Sequence, residues 1–377
     1  MRAYLLTALV AAAVTYLLVA PVRRFAVLAG AMTPVRDRDV HAEPVPRGGG
    51  LAMLGGLAAA LLVAERLPLV SSVFDESSDP RALLSGAVLI CLLGLADDKW
   101  SLDPLTKLAG QCLAAGVMVL QGLQVLWLPL PGQTYVLSSL EGTVLTILVV
   151  LVMINAVNFV DGLDGLAAGI VLIAAGAFFA SSYRLWVDVG VPRAGTSTLT
   201  TAILFGMCAG FLPHNFHPAR VFMGDSGSML LGLSLAASVI SLTGQLDPGD
   251  VSAARLGPAI LPIVLPVVVV LVPLLDLGLA VVRRTWAGRS PFAADKQHLH
   301  HRLLEIGHSH RRAVVVMYAW SALVAFSVVA LSVLDGPWPK VGVGVALLAA
   351  LAATLGVDRG RWIRREPERR SSRRTSA

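Results

Sequence analysis

The sequence predicts an all-α protein, a polytopic membrane helical bundle of about eleven transmembrane helices with its N-terminus outside and its C-terminus inside. Of 377 residues, 56% are hydrophobic and only 14% are charged, at a mean hydropathy of +0.74, which is too apolar for an ordinary soluble domain. The apolar residues come in runs close to the roughly 17 to 25 residues that a helix needs to cross a bilayer. Short polar breaks separate them. The positive charge is also lopsided: twenty-three of the thirty Lys and Arg fall in one alternating set of loops, as expected when cytoplasmic loops retain Lys and Arg.

Taken in order, the runs place spans at 3–20, 49–64, 82–96, 105–126, 142–157, 166–182, 198–212, 228–242, 258–282, 313–334 and 341–355. The first has no small-residue cleavage pattern and runs into Pro21, Arg23 and Arg24, so it reads as a retained span and not a cleaved signal peptide. Cys91, Cys112 and Cys208 all lie within spans and act as small apolar residues. Residues 1–357 read as one transmembrane domain. Residues 358–377, RGRWIRREPERRSSRRTSA from Arg359 onward, read as a basic, disordered cytoplasmic tail near anionic headgroups. The basic balance belongs to this topology signal, and no nucleic-acid partner is expected. Gly55 and Gly56 permit close helix contacts within one chain or, in a homodimer, between two.

The chemistry-bearing motifs all fall on the side that the charge asymmetry makes cytoplasmic. GLADDKWSLDPLTK sets Asp97 and Asp98 side by side at the membrane surface, with Asp103 and Lys107 following. Two adjacent carboxylates at a low-dielectric edge need a metal, a cation or a shared proton; the plain alternative is a solvated helix cap. In NAVNFVDGLDGLAAG, Asn155, Asn158, Asp161 and Asp164 recur every third residue, which would put all four on one helical face. Their oxygens suit Mg²⁺, and Gly162 and Gly165 would let backbone approach a phosphate. In PHNFHPARVFMGDSGSMLLG, Asp225 opens a helix whose N-terminal N–H groups could meet phosphate oxygens, with Phe222 and Met223 exposed beside it. VPRGGG, ending in Gly48, Gly49 and Gly50, offers turn N–H groups to a nucleotide. The largest loop carries His298, His300, His301 and Arg302, then His308 and His310. That cluster lacks the thiolates or carboxylates of a closed zinc site and reads better as a surface for phosphate binding or proton handling.

Together VPRGGG, GLADDKWSLDPLTKLAGQ, NAVNFVDGLDGLAAG, VFMGDSGS and HLHHRLL resemble the polyprenyl-phosphate N-acetylhexosamine-1-phosphate transferase superfamily, over nearly the whole chain and in its order. The HLHHRLL form resembles the branch that moves N-acetylglucosamine 1-phosphate from UDP-GlcNAc to undecaprenyl or decaprenyl phosphate. The muramoyl-pentapeptide branch carries three consecutive histidines where Leu299 interrupts the run here. The resemblance implies Mg²⁺, with Mn²⁺ as a substitute, held by Asp225 and Asn158; Asp97 and Asp98 beside the reacting phosphates; and Lys107 on the pyrophosphate. It further implies a nucleotide site at Gly49, Asp161, Asp164 and Phe222, and sugar-phosphate contacts from His298, His300, His301 and Arg302. The implied partners are a UDP-sugar donor, a polyprenyl phosphate acceptor and the lipid bilayer, in a bacterial cytoplasmic membrane. Another UDP-N-acetylhexosamine or UDP-MurNAc-pentapeptide is the alternative donor. An ion-coupled transporter is the alternative of another class; it would gather its carboxylates at mid-bilayer on repeated halves, where this sequence gathers them at span ends and shows no repeat.

Overall fold

A computed structural model describes residues 1–30 and 32, 44–243 apart from positions 131, 132, 189 and 192, position 285, and 309–365 apart from 335. Its helices are α1 (Arg2–Leu28), α2 (Gly49–Glu65), the short α3 (Ser72–Glu76), α4 (Asp79–Trp100), α5 (Pro104–Leu120), α6 (Ser139–Val160), α7 (Leu166–Val187), α8 (Ala194–Asn215), α9 (Gly224–Thr243), α10 (His310–Val333) and α11 (Pro337–Arg365). Among the described residues, seven helices are long and apolar enough to cross a membrane, and α2, α5 and the 337–350 part of α11 are shorter apolar helices. Ten of the eleven expected spans therefore fall on helices; the eleventh, 258–282, lies outside the described residues.

Two boundaries differ from the sequence reading. The fourth span was expected to reach Leu126, but α5 stops at Leu120, and the chain then forms an antiparallel hairpin of β1 (Trp127–Leu130) and β2 (Gln133–Val136). Its register pairs Leu130 with Gln133 across Pro131-Gly132, a strong turn dipeptide. Among the described residues this two-stranded sheet interrupts an otherwise helical fold. At the other end, α11 runs past Val357 to Arg365, so the basic tail begins as helix.

The core is assembled by small residues and internally satisfied hydroxyls. Gly206 and Gly210 of α8 bring its backbone against the Ala8 and Ala12 carbonyls of α1, and Gly55 and Gly56 of α2 face Leu18, Thr15 and Ala11 of the same helix. The glycines weighed as dimer contacts thus serve the α1–α2 packing within one chain. Without water to satisfy polar groups, Ser and Thr side chains bond back along their own helices, as Thr198 does to Ala194 O at 2.6 Å and Ser234 to Leu230 O at 2.8 Å. Ser197 Oγ crosses from α8 to Ser238 O of α9 at 2.9 Å. The consequence for function is topological. The C-terminal ends of α4, α6 and α8 and the N-terminal ends of α2, α5, α7, α9 and α10 meet at one end of the bundle.

Candidate active site

The segment DDKWSLDP is a tight helix-to-helix reversal. α4 ends with Ser101 in the left-handed region at φ 52°, and Asp97 Oδ1 accepts the Leu102 N–H at 2.8 Å, closing the turn. Asp103 then N-caps α5 by accepting from Leu105 and Thr106 N–H at 3.0 and 3.1 Å, with Pro104 at the first helical position. One turn into α5, Lys107 points back across the reversal: its Nζ lies 2.8 Å from Asp97 Oδ2 and makes a second, shorter ion pair with Asp225.

Asp225 sits at the start of α9, held from three neighbouring helices. The backbone N–H of Asp225 donates to Asp98 Oδ1 at 3.0 Å, and Ser226 donates its N–H and its hydroxyl to Asp98 Oδ2 at 3.4 and 3.2 Å. Asp98 therefore caps α9 from a neighbouring helix, with its side chain only 2% exposed and the Arg47 guanidinium 3.5 Å away. The expectation that these N–H groups await a phosphate is corrected: the Asp98 carboxylate already occupies them. Close backbone approach makes the arrangement possible. A Cβ at Gly50 or Gly94 would strike the backbone of Ser226 or Gly227, and one at Gly224 would strike the Asp98 carboxylate itself.

The third of these helices is α6. Asn158 Nδ2 donates to Asp225 Oδ1 at 3.1 Å and to Ser228 Oγ at 2.8 Å. The helix ends at Val160, so the one-face reading of Asn155, Asn158, Asp161 and Asp164 holds for the two asparagines only. Asp161 is the C-cap, and Asp164 lies in the turn beyond. Burial, together with the nearby charges of Asp225 and Asp98, pushes the Asp161 carboxyl up to about 8.

Asp164 builds a second pocket wall. Only 6% exposed, it accepts from His217 Nδ1 at 2.8 Å and from the Ala219 N–H at 3.1 Å. His217 stacks on His310, ring centroids 4.3 Å apart at 18°. Asp164, His217 and His310 bring three ligand-type atoms within 4.8 Å of one another. Near-parallel stacking sets the two imidazole planes side by side, and within this group the His217–Asp164 hydrogen bond is the contact that supports Asp164. Asn215 completes the wall, accepting the Gly165 N–H at 3.0 Å and donating to Val221 O at 3.0 Å. Asn215 and His217 were missed as site residues, although PHNFHP preceding VFMGD was the visible signal. Gly165, at φ +77°, has its N–H on Asn215 and its carbonyl on the Tyr318 hydroxyl, so its backbone is covered instead of open to phosphate.

VPRGGG docks alongside. Gly49 and Gly50 donate their N–H groups to Phe222 O and Met223 O at 3.1 Å each, while Phe222 N–H donates to Pro46 O at 2.9 Å. The turn's donors are used within the protein, and Met223, expected exposed, is fully buried. Phe222 keeps a half-buried position at the pocket edge. The structure thus gathers Asp97, Asp98, Lys107, Asn158, Asp161 and Asp225, with Asp164, Gly49 and Phe222 adjoining. His298, His300, His301 and Arg302 lie outside the described residues.

The sequence pattern of glycosyl transferase family 4 matches residues 81–243. A decaprenyl-phosphate N-acetylglucosaminephosphotransferase of Mycolicibacterium smegmatis is 46% identical over 94% of this chain and 88% of its own. The chain belongs to glycosyl transferase family 4. A probable undecaprenyl-phosphate N-acetylglucosaminyl 1-phosphate transferase of Bacillus subtilis is 32% identical over 87% of this chain and 85% of its own, and the Escherichia coli undecaprenyl-phosphate alpha-N-acetylglucosaminyl 1-phosphate transferase is 27% identical over 80% and 77%. The family 4 match spans every carboxylate of the pocket, Lys107, Asn158 and Phe222, but not Arg47 or Gly49.

A divalent cation fits this family 4 site on charge grounds. Asp97, Asp98, Asp161 and Asp225 face two cationic side chains among the described residues, Lys107 and Arg47. Asp225 and Asn158 offer the hard oxygen donors that Mg²⁺ prefers.

Proposed function

We propose that this enzyme transfers N-acetylglucosamine 1-phosphate from UDP-GlcNAc to decaprenyl or undecaprenyl phosphate, giving GlcNAc-pyrophosphoryl-polyprenol and UMP, as the first step of a cell-envelope polysaccharide. The observation that carries the reading is the convergence of four helices on Asp225: Lys107 from α5, Asn158 from α6 and the Asp98 cap from α4 all meet the first turn of α9. The relatives named above supply the substrates.

In this reaction an oxygen of the lipid phosphate attacks the sugar-bearing phosphorus of the donor. The bond from that phosphorus to the bridging oxygen breaks, and UMP leaves with the electron pair. The acceptor is a phosphate monoester, with a second pKa of about 6, so it is largely dianionic without a base. The difficulty is the repulsion of two anions at a poorly screened interface. Mg²⁺, held by Asp225 and Asn158, would neutralise pyrophosphate oxygens and stabilise the departing UMP. Lys107 supplies a fixed positive charge to the same oxygens. Asp97, anchored by Leu102 N–H and paired with Lys107, keeps that ammonium aimed and orients the incoming phosphate. Asp164 accepts from the uracil imide with Phe222 against the base, and His298, His300, His301 and Arg302 contact the sugar-phosphate. The site faces the cytoplasm of a bacterial inner membrane, as supported by the charge asymmetry and by the gathering of the described site groups at one end.

Purified protein in detergent with Mg²⁺, UDP-GlcNAc and polyprenyl phosphate should release UMP and form a lipid heavier by one GlcNAc-phosphate. Chelation of the metal should stop it. Preference for another UDP-sugar in the same assay would overturn the donor assignment. Direct attack further predicts no exchange of labelled UMP into UDP-GlcNAc without lipid acceptor; robust exchange would favour a covalent aspartyl intermediate.

A further inference from the structure

One helical turn further from the site end, the same three helices meet again. Gln111 follows Lys107 by four residues on α5, Asn155 precedes Asn158 by three on α6, and Met229 follows Asp225 by four on α9. Residues three and four apart share a helix face, so Lys107, Asn158 and Asp225 stand above Gln111, Asn155 and Met229 as two successive rungs. Asn155 Nδ2 donates to Gln111 Oε1 at 2.9 Å and to its own Leu151 O at 2.8 Å, and Gln111 Nε2 approaches Met229 Sδ at 3.9 Å. Gln111 is 1% exposed.

Amides buried in a membrane layer are costly unless bonded, and there water cannot compete for their bonds. Among the described residues, the Asn155–Gln111 contact is the one side-chain hydrogen bond that joins α5 to α6. Elsewhere in the bundle the hydroxyl side chains satisfy themselves mostly along their own helices, which fixes nothing between neighbours. A slip of α5 along α6 would break the amide bond and carry Lys107 away from Asp225 by the same amount.

We propose that Gln111 and Asn155 are positioning residues for the transfer reaction: their amide bond sets the register of α5 against α6 and thereby holds Lys107 and Asn158 on opposite sides of Asp225. Neither touches substrate. The proposal rests on the reading of Asp225, Asn158 and Lys107 given above.

The test compares wild type with Gln111→Met, which keeps side-chain length, with Asn155→Leu, and with the exchanged pair Gln111→Asn/Asn155→Gln, in UMP release at saturating substrates and over a Mg²⁺ titration. Misplacement by a fraction of an ångström predicts a kcat loss of about tenfold to a hundredfold in each single variant. The Mg²⁺ concentration for half-maximal rate should rise, while KM for UDP-GlcNAc holds; Gln111→Met should melt close to wild type, because Asn155 keeps its bond to Leu151 O, whereas Asn155→Leu leaves the buried Gln111 carbonyl without its donor and should melt lower. The exchanged pair should recover most of the lost rate. Single variants with wild-type kcat and Mg²⁺ requirement overturn the proposal, and so does an exchanged pair no better than the singles while still folded. If Gln111→Met does not fold, Asn155→Ser tests the same bond from α6 with the same readouts. A wild-type protein that releases no UMP would instead defeat the functional reading beneath.

Discussion

The backbone N–H of Asp225 donates to the carboxylate of Asp98 at 3.0 Å, so one aspartate of the site holds another in place. In sequence the two look alike, each an acidic residue beside glycine or a second carboxylate at a membrane edge. In the folded protein Asp98 is the cap on the helix that presents Asp225, and only Asp225 meets Lys107 and Asn158. Substituting Asp98 by Ala should cost about 1 to 2 kcal/mol, the usual range for a lost N-cap, and lower UMP release. Asp98→Asn keeps one acceptor oxygen and should fall between the two. Thermal unfolding of the solubilised variants ranks them; equal melting for Ala and wild type would refute the capping role.

Removing the carboxylate at the centre is the more severe change. Asp225→Ala should reduce UMP release by roughly a hundredfold or more, the scale seen when a preorganised electrostatic partner is lost. Near-normal turnover at saturating Mg²⁺ would remove Asp225 from the cation site.

Lys107 separates charge from metal dependence. It bridges Asp97 and Asp225, so Lys107→Met leaves both carboxylates without their ammonium. The rate should fall by about a hundredfold, but the Mg²⁺ requirement should not rise, because nothing then competes with the metal for those oxygens. A raised requirement would show that Lys107 helps to seat the metal.

Asp161 predicts a pH dependence. Its carboxyl is pushed up to about 8 by burial and by Asp225 and Asp98. The unfolded chain releases this proton near the ordinary carboxylate value, and the folded protein keeps it until pH approaches 8. The unfolded state is therefore favoured progressively across that window, and the penalty stops growing above it. Asp161→Asn carries no such proton. In metal-free protein its stability relative to wild type should increase from about pH 4 to about pH 8 and then level off, as read by melting across pH. A difference that is flat with pH would contradict the raised carboxyl.

Gly94 and Gly50 test the close approach at α9. A Cβ at either position meets backbone atoms of Ser226 or Gly227, which cannot swing away as a side chain would. Gly94→Ala should destabilise by about 1 to 3 kcal/mol through overpacking and lower activity with it. Wild-type melting and turnover would mean that α9 can shift at no cost.

Much of the site was legible because its residue types are chemically unusual for a membrane. Carboxylates, asparagines and a lysine at the ends of apolar runs mark function by their desolvation cost alone, and Asp97, Asp98, Lys107, Asn158 and Asp225 do come together. The glycine-rich segments misled for a definite reason. A glycine permits close approach without saying what approaches, and at Gly49, Gly50 and Gly165 the neighbour is protein. The every-third spacing from Asn155 to Asp164 misled because periodicity assumes a continuing helix, and α6 stops at Val160. Asn215 and His217 escaped notice because a single Asn or His beside prolines reads as loop chemistry until Asp164 and Gly165 are seen to lie against them.

By itself, the sequence determined the membrane bundle, ten of its spans and the candidate residues Asp97, Asp98, Lys107, Asn158 and Asp225 that come together, since these follow from hydropathy, run length and the cost of charge in apolar surroundings. Tertiary structure alone decided the division of roles. Asp98 and Asp225 are far apart in the chain, and which of them caps and which faces Lys107 is set by how α4, α5, α6 and α9 cross, a relation that no local pattern encodes.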